Sequence, residues 1–525
     1  MSRQMTGGEA LVAGLATHGV DTVFGIPGTH SLPIYPYFQQ YGIRHVLTRH
    51  EQGAGYAADG YARVSGRPGV VVTTTGPAIL NAATAAAQSY SDSVPVLFLS
   101  PAVPVDHPGR GNGLLHEVKD QRAAMDAVTA GSHRVHSVQE IPVAARWRRL
   151  SPICVRAGRD LGISMCRWIF STGSRAYGCR RPSGWPPRSR TRAAISEAAH
   201  MLADAQFPGI IAGGGVRAAA AELARVAESL GAPVIASTNG KGILPADHPL
   251  SLGAGLHHRA VFDFVAECDV LLAIGTELAP SDLFAGGLEF RGKLVRVDID
   301  PAQLLTNAEP DLAIVGDARQ ALTELALALP ARESTQRPAQ WRERVSAQAA
   351  IEGAPWRSIV DSLAAALGRD GVVAADNAMV SYYGALSNLP GYRPGCFLFP
   401  TGLGTLGYGL PAAIGAKLAE PDTPVVALEG DGGLMFTVAE LATAAQLGLP
   451  LPVLIVDNGG YGEIRNEMAE RGDPVHAVDL GHPDFVALGQ SLGCHAMTAG
   501  DLTEDITNAL AADRPTLIHI QSARR

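Results

Sequence analysis

The stretch Val425-Val426-Ala427-Leu428-Glu429-Gly430-Asp431-Gly432-Gly433 decides the fold, because an apolar run passes directly into a glycine turn that carries an acid. The same order recurs at the apolar run 452–456, which is followed by Asp457-Asn458-Gly459-Gly460-Tyr461-Gly462. Both runs are typical of strands covered on both faces, and a helix is predicted between them. In a parallel sheet both turns then lie at the carboxyl edge, where ligands bind.

The residue types in these turns point to a metal and a phosphate. Asp431 offers a carboxylate oxygen and Asn458 an amide oxygen, which are ligands that suit Mg²⁺. The glycines let backbone N–H groups approach a diphosphate closely. Asp-Gly and Asn-Gly pairs are also common in ordinary turns, so either cluster alone would favour a turn. The two clusters together favour a site.

Composition narrows the class of protein. The chain has 525 residues, enough for three or four domains, with 46% apolar and 18% charged residues. A net charge of −8 argues against a nucleic-acid partner. No apolar run approaches the roughly 18 residues that a membrane helix needs. The N-terminus lacks a signal-peptide design, and the six cysteines show no CxxC spacing. We therefore expect a cytoplasmic enzyme.

Alternating strand and helix patterns predict an α/β protein with three doubly wound parallel-sheet domains. The predicted domains are 1–145, 193–329 and 356–525, with a polar linker at 330–355.

The segment 146–192 does not follow this pattern. It holds twelve Arg, three of the six Cys and three of the five Trp, without a period of 2 or 3.6. One interpretation is a divergent basic surface insertion. The other is a frameshift, because moving the codons of 164–170 by one base allows an ordinary strand ending. Resequencing the locus would decide, and an uninterrupted frame on both strands would end the second idea.

The two glycine turns closely resemble the cofactor motif of thiamine-diphosphate enzymes. The resemblance extends to the branch that contains pyruvate oxidase, acetolactate synthase and the 2-oxo-acid decarboxylases. Its further motifs match here, in the family's order, at 24–28, 49–54, 58–63, 75–77, Asn81 and 402–415. The family's pyrimidine, central and diphosphate domains then account for every part of the chain except 146–192.

This resemblance implies a set of site residues. Glu51 would exchange a proton with the aminopyrimidine ring, which allows the thiazolium C2–H to ionise to an ylide; otherwise it is an acid favoured by a helix N-terminus. Leu406 would bend the cofactor, although it also fits a core leucine. Mg²⁺ would take Asp431, Asn458 and the Gly460 carbonyl. The implied cofactor contacts are Pro27, Gly28, Glu51, Thr75, Pro77, Asn81, Gly404, Leu406, Gly430, Asp431, Gly432, Gly433, Asn458, Gly460, Tyr461 and Gly462.

The implied reaction is decarboxylation of a small-molecule 2-oxo acid through an ylide and an enamine. The stretch 113–121 looks most like its counterpart in 5-guanidino-2-oxopentanoate decarboxylases. His116 within it is a candidate catalytic residue, as a proton donor or a carboxylate contact, although an exposed loop histidine is also plausible. Glu463 could face a cationic substrate tail, although an ordinary solvated glutamate is equally plausible. The alternatives are an acetolactate-synthase-type carboligase and an inactive or regulatory relative.

Other parts of the sequence bear on cofactors and partners. Asp457 stands where the family usually has Asn, and Ala78 where it has Gly. The turn 212–215 resembles a dinucleotide turn, but no acid ends the next strand, so we expect no nicotinamide cofactor. The Arg-containing flavin motif is missing after Gly275, so we expect no FAD. The family arrangement implies a homodimer or homotetramer whose active sites lie between subunits.

Overall fold

The computed structural model describes residues 5–104, 107, 111–137, 140–141, 161–165, 188–284, 286–332, 336–481 and 483–522. These residues form three six-stranded sheets with helices between the strands. The chain divides into two compact units. Unit 1 comprises Met1–Phe170, Leu403–Ala499 and Ala509–Arg525, and unit 2 comprises Ser171–Gly402 and Gly500–Asn508.

The first sheet lies in unit 1 and has the order β2-β1-β3-β4-β6-β5. Its strands are β1 (Thr22–Gly25), β2 (Arg44–Leu47), β3 (Gly69–Val72), β4 (Val96–Pro101), β5 (Gly131–Arg134) and β6 (Leu161–Met165). Its helices are α1 (Gly7–Thr17), α2 (Pro36–Gln40), α3 (Glu51–Ser65), α4 (Pro77–Asn81), α5 (Ala83–Ser91) and α6 (Gln121–Asp126). The pairs β1–β2, β1–β3 and β3–β4 are parallel, whereas β6 runs antiparallel to β4 and β5.

The second sheet lies in unit 2, is parallel throughout and has the order β12-β11-β10-β7-β8-β9. Its strands are β7 (Pro208–Ala212), β8 (Val234–Ala236), β9 (Ser251–Ala254), β10 (Val270–Ile274), β11 (Lys293–Asp298) and β12 (Leu312–Val315). Its helices are α7 (Arg188–Asp204), α8 (Ala220–Leu230), α9 (Arg259–Glu267), α10 (Pro280–Leu283) and α11 (Ala318–Ala328). Ile210 and Leu272 belong to one apolar cluster and Ile211 and Leu271 to another, so both faces are covered.

The third sheet has the order β14-β13-β15-β16-β18-β17. Its strands are β13 (Val372–Ala375), β14 (Phe397–Leu398), β15 (Val425–Gly430), β16 (Pro452–Asp457), β17 (His495–Thr498) and β18 (Thr516–Gln521). The helices of this part of the chain are α12 (Arg337–Glu352), α13 (Arg357–Leu367), α14 (Leu386–Asn388), α15 (Gly409–Ala419), α16 (Asp431–Leu434), α17 (Glu440–Gln446), α18 (Gly462–Glu470), α19 (Phe485–Ser491) and α20 (Leu502–Leu510). The predicted α/β architecture of three domains is confirmed, with one antiparallel strand added in the first sheet.

Two stretches differ from the sequence-based description. Helix α12 occupies most of 337–355, which was expected to be linker, because Trp341 and Val345 lie four residues apart and pack into the second sheet's core. In 146–192, strand β6 and the start of α7 form where no element was predicted. The rest of that segment lies outside the described residues, and the frameshift stays a prediction. No described helix combines the length and apolarity needed to span a membrane.

Two helices in unit 1 pack with almost no space between their backbones. Gly60 of α3 faces Ala412 of α15, and Gly415 of α15 faces Ala57 of α3. A Cβ atom on either glycine would collide with the carbonyl group opposite. The two glycines therefore allow a close helix contact that larger residues would prevent. This contact, which we call the α3–α15 seam, joins the first sheet's domain to the glycine-rich turns.

A buried charge cluster lies at the α3–α15 seam. The carboxylate of Asp59 accepts hydrogen bonds from Arg63 Nε and from the Tyr408 hydroxyl, each at 2.6 Å. Arg63 Nη2 also contacts Asp92 at 2.7 Å. Burial alone would lower the pKa of Arg63, but the carboxylates of Asp59 and Asp92 raise it. The arginine therefore stays charged inside the protein and neutralises two buried acids.

We predict that Arg63→Met destabilises unit 1 strongly, because it leaves the buried Asp59 and Asp92 without a counter-charge. The expected cost is about 3–5 kcal/mol, measured as a lower denaturation midpoint of the full chain. Arg67→Met is the matched control, since Arg67 pairs with Asp21 at a site where both side chains are about half exposed. The control should cost less than about 1 kcal/mol. Equal midpoints for the two variants would contradict the role of Arg63.

Candidate active site

The predicted catalytic glutamate lies at the carboxyl edge of the first sheet. Strands β2, β1 and β3 are parallel neighbours, so the residues that follow them share one edge. The turn after β1 carries Pro27 and Gly28, and β3 is followed by Thr75 and Pro77. Glu51, which follows β2, is the first residue of α3. The structure thus brings this part of the predicted site together.

The side chain of Glu51 has a defined partner. Its Oε2 accepts a hydrogen bond of 3.0 Å from Nδ2 of Asn81. Burial, and in addition the nearby carboxylate of Glu51, raise the pKa of Tyr35. Glu51 itself remains half-buried. The carboxyl group is therefore oriented by an amide but still open to a ligand at the sheet edge.

The backbone just before α3 is held by a second carboxylate, which the sequence did not identify. Glu440 is 1% exposed, and its Oε1 accepts hydrogen bonds of 3.0 Å from the N–H groups of both Arg49 and His50. The Thr443 hydroxyl donates to the other carboxylate oxygen at 2.6 Å. A Cβ on Gly53 would collide with the Glu440 carboxylate, which explains why glycine stands there.

Burial disfavours the charged form of the Glu440 carboxyl group. Burial raises the pKa of this carboxyl, and the hydrogen bonds from Thr443 and the two backbone amides oppose that rise only in part. Its contacts satisfy N–H groups immediately before Glu51, at the end of a helix where such groups have no partner within the helix. We infer that Glu440 fixes the position of Glu51.

The loop at 111–121 folds against the turn that follows β3. Gln121 accepts a hydrogen bond of 2.9 Å from the Gly76 N–H and donates one of 2.9 Å to the Pro101 carbonyl. The Glu117 carboxylate accepts from the N–H groups of residues 112–114, and these bonds, first that of Asn112, lower its pKa. Gln121 and Glu117 thus shape the loop.

His116 is placed at the sheet edge by this loop. It is half-buried, and its backbone has a φ of +63°, which is uncommon for a residue other than glycine. Its carbonyl faces Gly76, where a Cβ would collide with it. Gly76 also has a positive φ of +66°, so glycine is required there twice over. His116 therefore joins the residues that follow β3.

The three predicted metal ligands lie together. Asp431 follows β15 and is 6% exposed, while Asn458 follows the neighbouring strand β16. One amide atom of Asn458 lies 2.8 Å from the Gly460 carbonyl oxygen and 3.3 Å from Oδ1 of Asp431. With nitrogen in that place the amide donates to both oxygens. With the Asn458 amide rotated by 180°, its oxygen takes that place. The oxygens of Asp431, Asn458 and Gly460 then lie close together.

These three oxygens fit a small hard cation. Mg²⁺ binds oxygen at about 2.0–2.1 Å in octahedral geometry, so adjacent ligand oxygens are separated by about 3 Å. The spacings at Asn458 are of this size. Burial, and then the charge of Asp457, raise the pKa of Asp431. A cation bound here would offset that effect.

The unusual Asp457 has its own partner. Its Oδ2 lies 3.0 Å from Nε2 of His519, with both side chains largely buried, and its Oδ1 accepts from the Gly459 N–H at 3.0 Å. His519 stands on β18, which pairs with β16. His519 Nε2 therefore contacts the carboxylate that stands where the family usually has asparagine. Sequence reasoning identified the substitution but had no signal for a partner on another strand.

The segment around Leu406 is fixed on both sides. Thr405 Oγ1 donates to Gln88 Oε1 at 3.0 Å, and the Tyr408 hydroxyl donates to Asp59. Leu406 between them is half-buried, and Gly404 has a φ of +66°. A half-buried leucine on an anchored turn is able to contact a ligand, as the resemblance implies.

The remaining predicted contacts form the glycine cradle. A Cβ on Gly432 would collide with the ring of Tyr461, whose N–H donates to the Val478 carbonyl at 2.9 Å. The others lie beside these two, with Gly430 ending β15, Gly433 inside α16 and Gly462 beginning α18. The described contacts thus give two groups in unit 1, one around Glu51 and one around Asp431.

The glycine turn of unit 2 has a packing explanation. A Cβ on Gly213 would collide with the Gly275 carbonyl, and the N–H of Gly215 donates to that carbonyl at 3.0 Å. The turns after β7 and β10 therefore approach each other closely. The glycines are needed for this approach, whether or not any nucleotide binds.

Family models match three parts of the chain. The model of the N-terminal thiamine pyrophosphate binding domain matches residues 5–124. The central-domain model of the same enzymes matches 195–325, and the C-terminal thiamine pyrophosphate binding domain matches 380–520. The domain order is the one that the sequence motifs predict.

Full-length relatives carry two kinds of name. The chain is 42% identical to the probable 2-ketoarginine decarboxylase AruI of Pseudomonas aeruginosa, over 99% of this chain and 95% of the relative. It is 33% identical to the probable acetolactate synthase large subunit of Methanocaldococcus jannaschii, over 98% of this chain and 92% of the relative. The acetolactate synthase large subunit IlvB1 of Mycobacterium tuberculosis is also 33% identical, over 97% and 86%.

We predict that Glu440→Ala loosens the backbone before α3, because two N–H groups lose a buried acceptor. Amide hydrogen exchange at Arg49 and His50 should accelerate by about 10- to 100-fold, which corresponds to about 1–3 kcal/mol. The measurement is hydrogen–deuterium exchange of the cofactor-free protein. Glu440→Gln is the control, since its amide oxygen can still accept from both N–H groups. Unchanged exchange in Glu440→Ala would contradict the positioning role.

Proposed function

This chain belongs to the thiamine pyrophosphate enzyme family, and on that basis we propose that it decarboxylates a 2-oxo acid without oxidation. The cofactors we propose are thiamine diphosphate and Mg²⁺, and the substrate is 5-guanidino-2-oxopentanoate, also called 2-ketoarginine. The observation that carries the proposal is the position of His116, which the loop 111–121 places against Gly76 at the sheet edge of Glu51. The relative named as a probable 2-ketoarginine decarboxylase supports the choice of substrate.

The proposed cofactor supplies an electron sink for the bond that breaks when CO₂ leaves a 2-oxo acid. The chain's own residues supply binding and proton control. Glu51 would hold a proton at the pyrimidine ring nitrogen, with Asn81 orienting the carboxyl through its 3.0 Å hydrogen bond. Leu406 and Gly404 would contact the same ring from the anchored turn. Asp431, Asn458 and the Gly460 carbonyl would hold Mg²⁺, which neutralises the diphosphate.

The proposed substrate has a cationic tail, which needs an acid. Glu463 lies in the first turn of α18 and is half-buried, shortly after the proposed metal ligands. We propose that it faces the guanidinium group, since carboxylate–guanidinium pairs give both affinity and orientation. Acetolactate-type carboligation is the second candidate, and the acetolactate synthases among the relatives favour it. Neither proposed reaction uses a flavin.

We also propose that the active site takes its two groups from two copies of the chain. Large apolar side chains near both groups are exposed in the single chain, among them Leu80, Leu115, Leu403 and Phe436 at 40%, 60%, 50% and 53%. Exposed apolar surface of this kind commonly marks a protein–protein contact. A second copy would cover them and place Glu51 of one chain opposite Asp431 of the other.

We predict that the protein with thiamine diphosphate and Mg²⁺ releases CO₂ from 5-guanidino-2-oxopentanoate at least about tenfold faster than from pyruvate, because only the former fills a charged site. Glu51→Gln should bind cofactor but lose about 10²- to 10⁴-fold in rate. Glu463→Gln should raise KM for the guanidino acid and leave KM unchanged for 2-oxohexanoate, whose tail carries no charge. The measurements are CO₂ release and fluorescence titration of the cofactor.

Two results of this experiment would contradict the proposed function. Acetolactate formed from pyruvate as the main product would assign the chain to the carboligases. A folded protein that binds no cofactor at any Mg²⁺ concentration would assign it to inactive relatives.

We predict that Glu51→Gln and Asp431→Ala, each inactive alone, complement each other when the two chains are expressed together. In a symmetric dimer with shared sites, a mixed pair has one doubly altered site and one intact site, so random pairing restores about a quarter of wild-type activity. The measurement is CO₂ release by the co-purified mixture. If each site lay within one chain, the mixture would remain inactive.

A further inference from the structure

Two imidazoles meet at the same sheet edge. The ring centroids of His30 and His116 are 5.3 Å apart, with the ring planes inclined at 59°. His30 comes from the turn after β1, and His116 from the loop that precedes α6. The sequence singled out His116 alone, because no local pattern connects two histidines so far apart in the chain.

The turn that carries His30 is rigid. The N–H of Gly28 donates to Ser31 Oγ at 3.0 Å, and the N–H of Ser31 donates to the Gly28 carbonyl at 2.9 Å. Ser31 is fully buried, and a Cβ on Gly28 would collide with Thr74. His30 therefore stands at the tip of a closed turn that is packed on the strand end beside it.

The loop that carries His116 is fixed just as firmly. The positive φ of His116 is a conformation of higher energy that persists only where the surroundings enforce it. Here the Glu117 carboxylate ties the loop, and Gly76 accommodates the His116 carbonyl. Nδ1 of His116 is buried and accepts or donates no hydrogen bond within the described part of the chain. A strained, anchored imidazole with an unused nitrogen is typical of a functional site.

The pair lies between the elements that carry the other site residues. Strand β1 stands between β2, which leads to Glu51, and β3, which leads to Thr75. Two acids near this edge already accept hydrogen bonds from the protein. Glu117 accepts from N–H groups of its own loop, and Glu51 accepts from Asn81. The two imidazoles at this edge are side chains of a kind that serves as a general acid in enzymes.

We propose that His30 and His116 form a proton-donating pair that directs the reaction toward the aldehyde. This inference rests on the proposed function. The overall step is R–CO–COO⁻ + H⁺ → R–CHO + CO₂, in which the carbon–carboxylate bond breaks and a C–H bond forms at the same carbon. One imidazolium donates that proton, and its neighbour relays the next one from water. Carboligation needs no proton at this carbon, because a second carbonyl compound bonds there instead.

The test separates the loss of CO₂ from the gain of the proton. The holoenzyme is assayed for aldehyde alone, and then for CO₂ with the dye 2,6-dichlorophenolindophenol, which removes two electrons from the same carbon: R–CO–COO⁻ + H₂O → R–COO⁻ + CO₂ + 2 H⁺ + 2 e⁻. We expect His30→Gln and His116→Gln to lower aldehyde formation by about 10²- to 10⁴-fold. Dye-coupled CO₂ release should stay unchanged, because that assay does not depend on delivery of the proton.

The control is His18→Gln, since His18 is exposed at the end of α1 in the same unit. It should leave both assays unchanged. A second readout uses the cofactor-free protein, in which the Cε1–H resonance of the His116 ring should shift in His30→Gln and stay in place in His18→Gln. An unmoved resonance would show that the rings do not meet in solution and would overturn the pairing.

The other outcomes are equally decisive. Equal losses in both assays, or a rise in KM alone, would make the pair a substrate contact and overturn proton delivery. Unchanged aldehyde formation in both variants would remove the pair from the reaction. A wild-type protein that releases no CO₂ in either assay would refute the proposed function and this inference with it, whereas intact dye-coupled release with unaltered aldehyde yield refutes the inference alone.

Discussion

Unit 1 depends on the hydrogen bonds that the Asp59 carboxylate accepts from Arg63 and Tyr408. This carboxylate lies fully buried at the α3–α15 seam and receives Arg63 from its own helix and Tyr408 from the turn before α15. A buried charge that loses its partner is costly, so the two helices hold one relative position. Because α3 begins at Glu51 and Leu406 immediately precedes the turn at Tyr408, this one contact sets the places of two predicted cofactor-binding groups.

Buried and half-exposed acids have different tasks in unit 1. Asp59 and Glu440 are almost completely buried, and their carboxylates accept hydrogen bonds from other groups of the protein. Glu51 and Glu463 keep part of their surface open to solvent. The enclosed acids fix the backbone on which the open ones stand, which is the preorganisation that binding and catalysis require. Loss of an enclosed acid should therefore disturb chemistry that it never touches.

Much of this arrangement could be predicted from the sequence. The apolar runs before Asp431 and before Asn458 identified neighbouring parallel strands, and Glu51 was expected at a helix N-terminus, because these signals are local. Contacts between distant segments leave no such signal. Glu440 reaches the residues before α3 across most of the chain, and His519 supports Asp457 from another strand. Helix α12 was missed because its charged residues hid a short apolar stripe.

Asp457, which departs from the family's usual asparagine, contacts both the backbone of its own turn and a neighbouring strand. The residue holds its turn through the hydrogen bond that Oδ1 accepts from the Gly459 N–H, while Oδ2 contacts Nε2 of His519. The side chain that departs from the family's usual asparagine therefore itself satisfies a backbone N–H of this turn. The turns after β1 and β3 are closed in a similar way, by the contacts of their glycines with Ser31 and with Gln121. The contacts that close the turn after β1 join Gly28 and Ser31, so a substitution of His30 leaves those two hydrogen bonds in place.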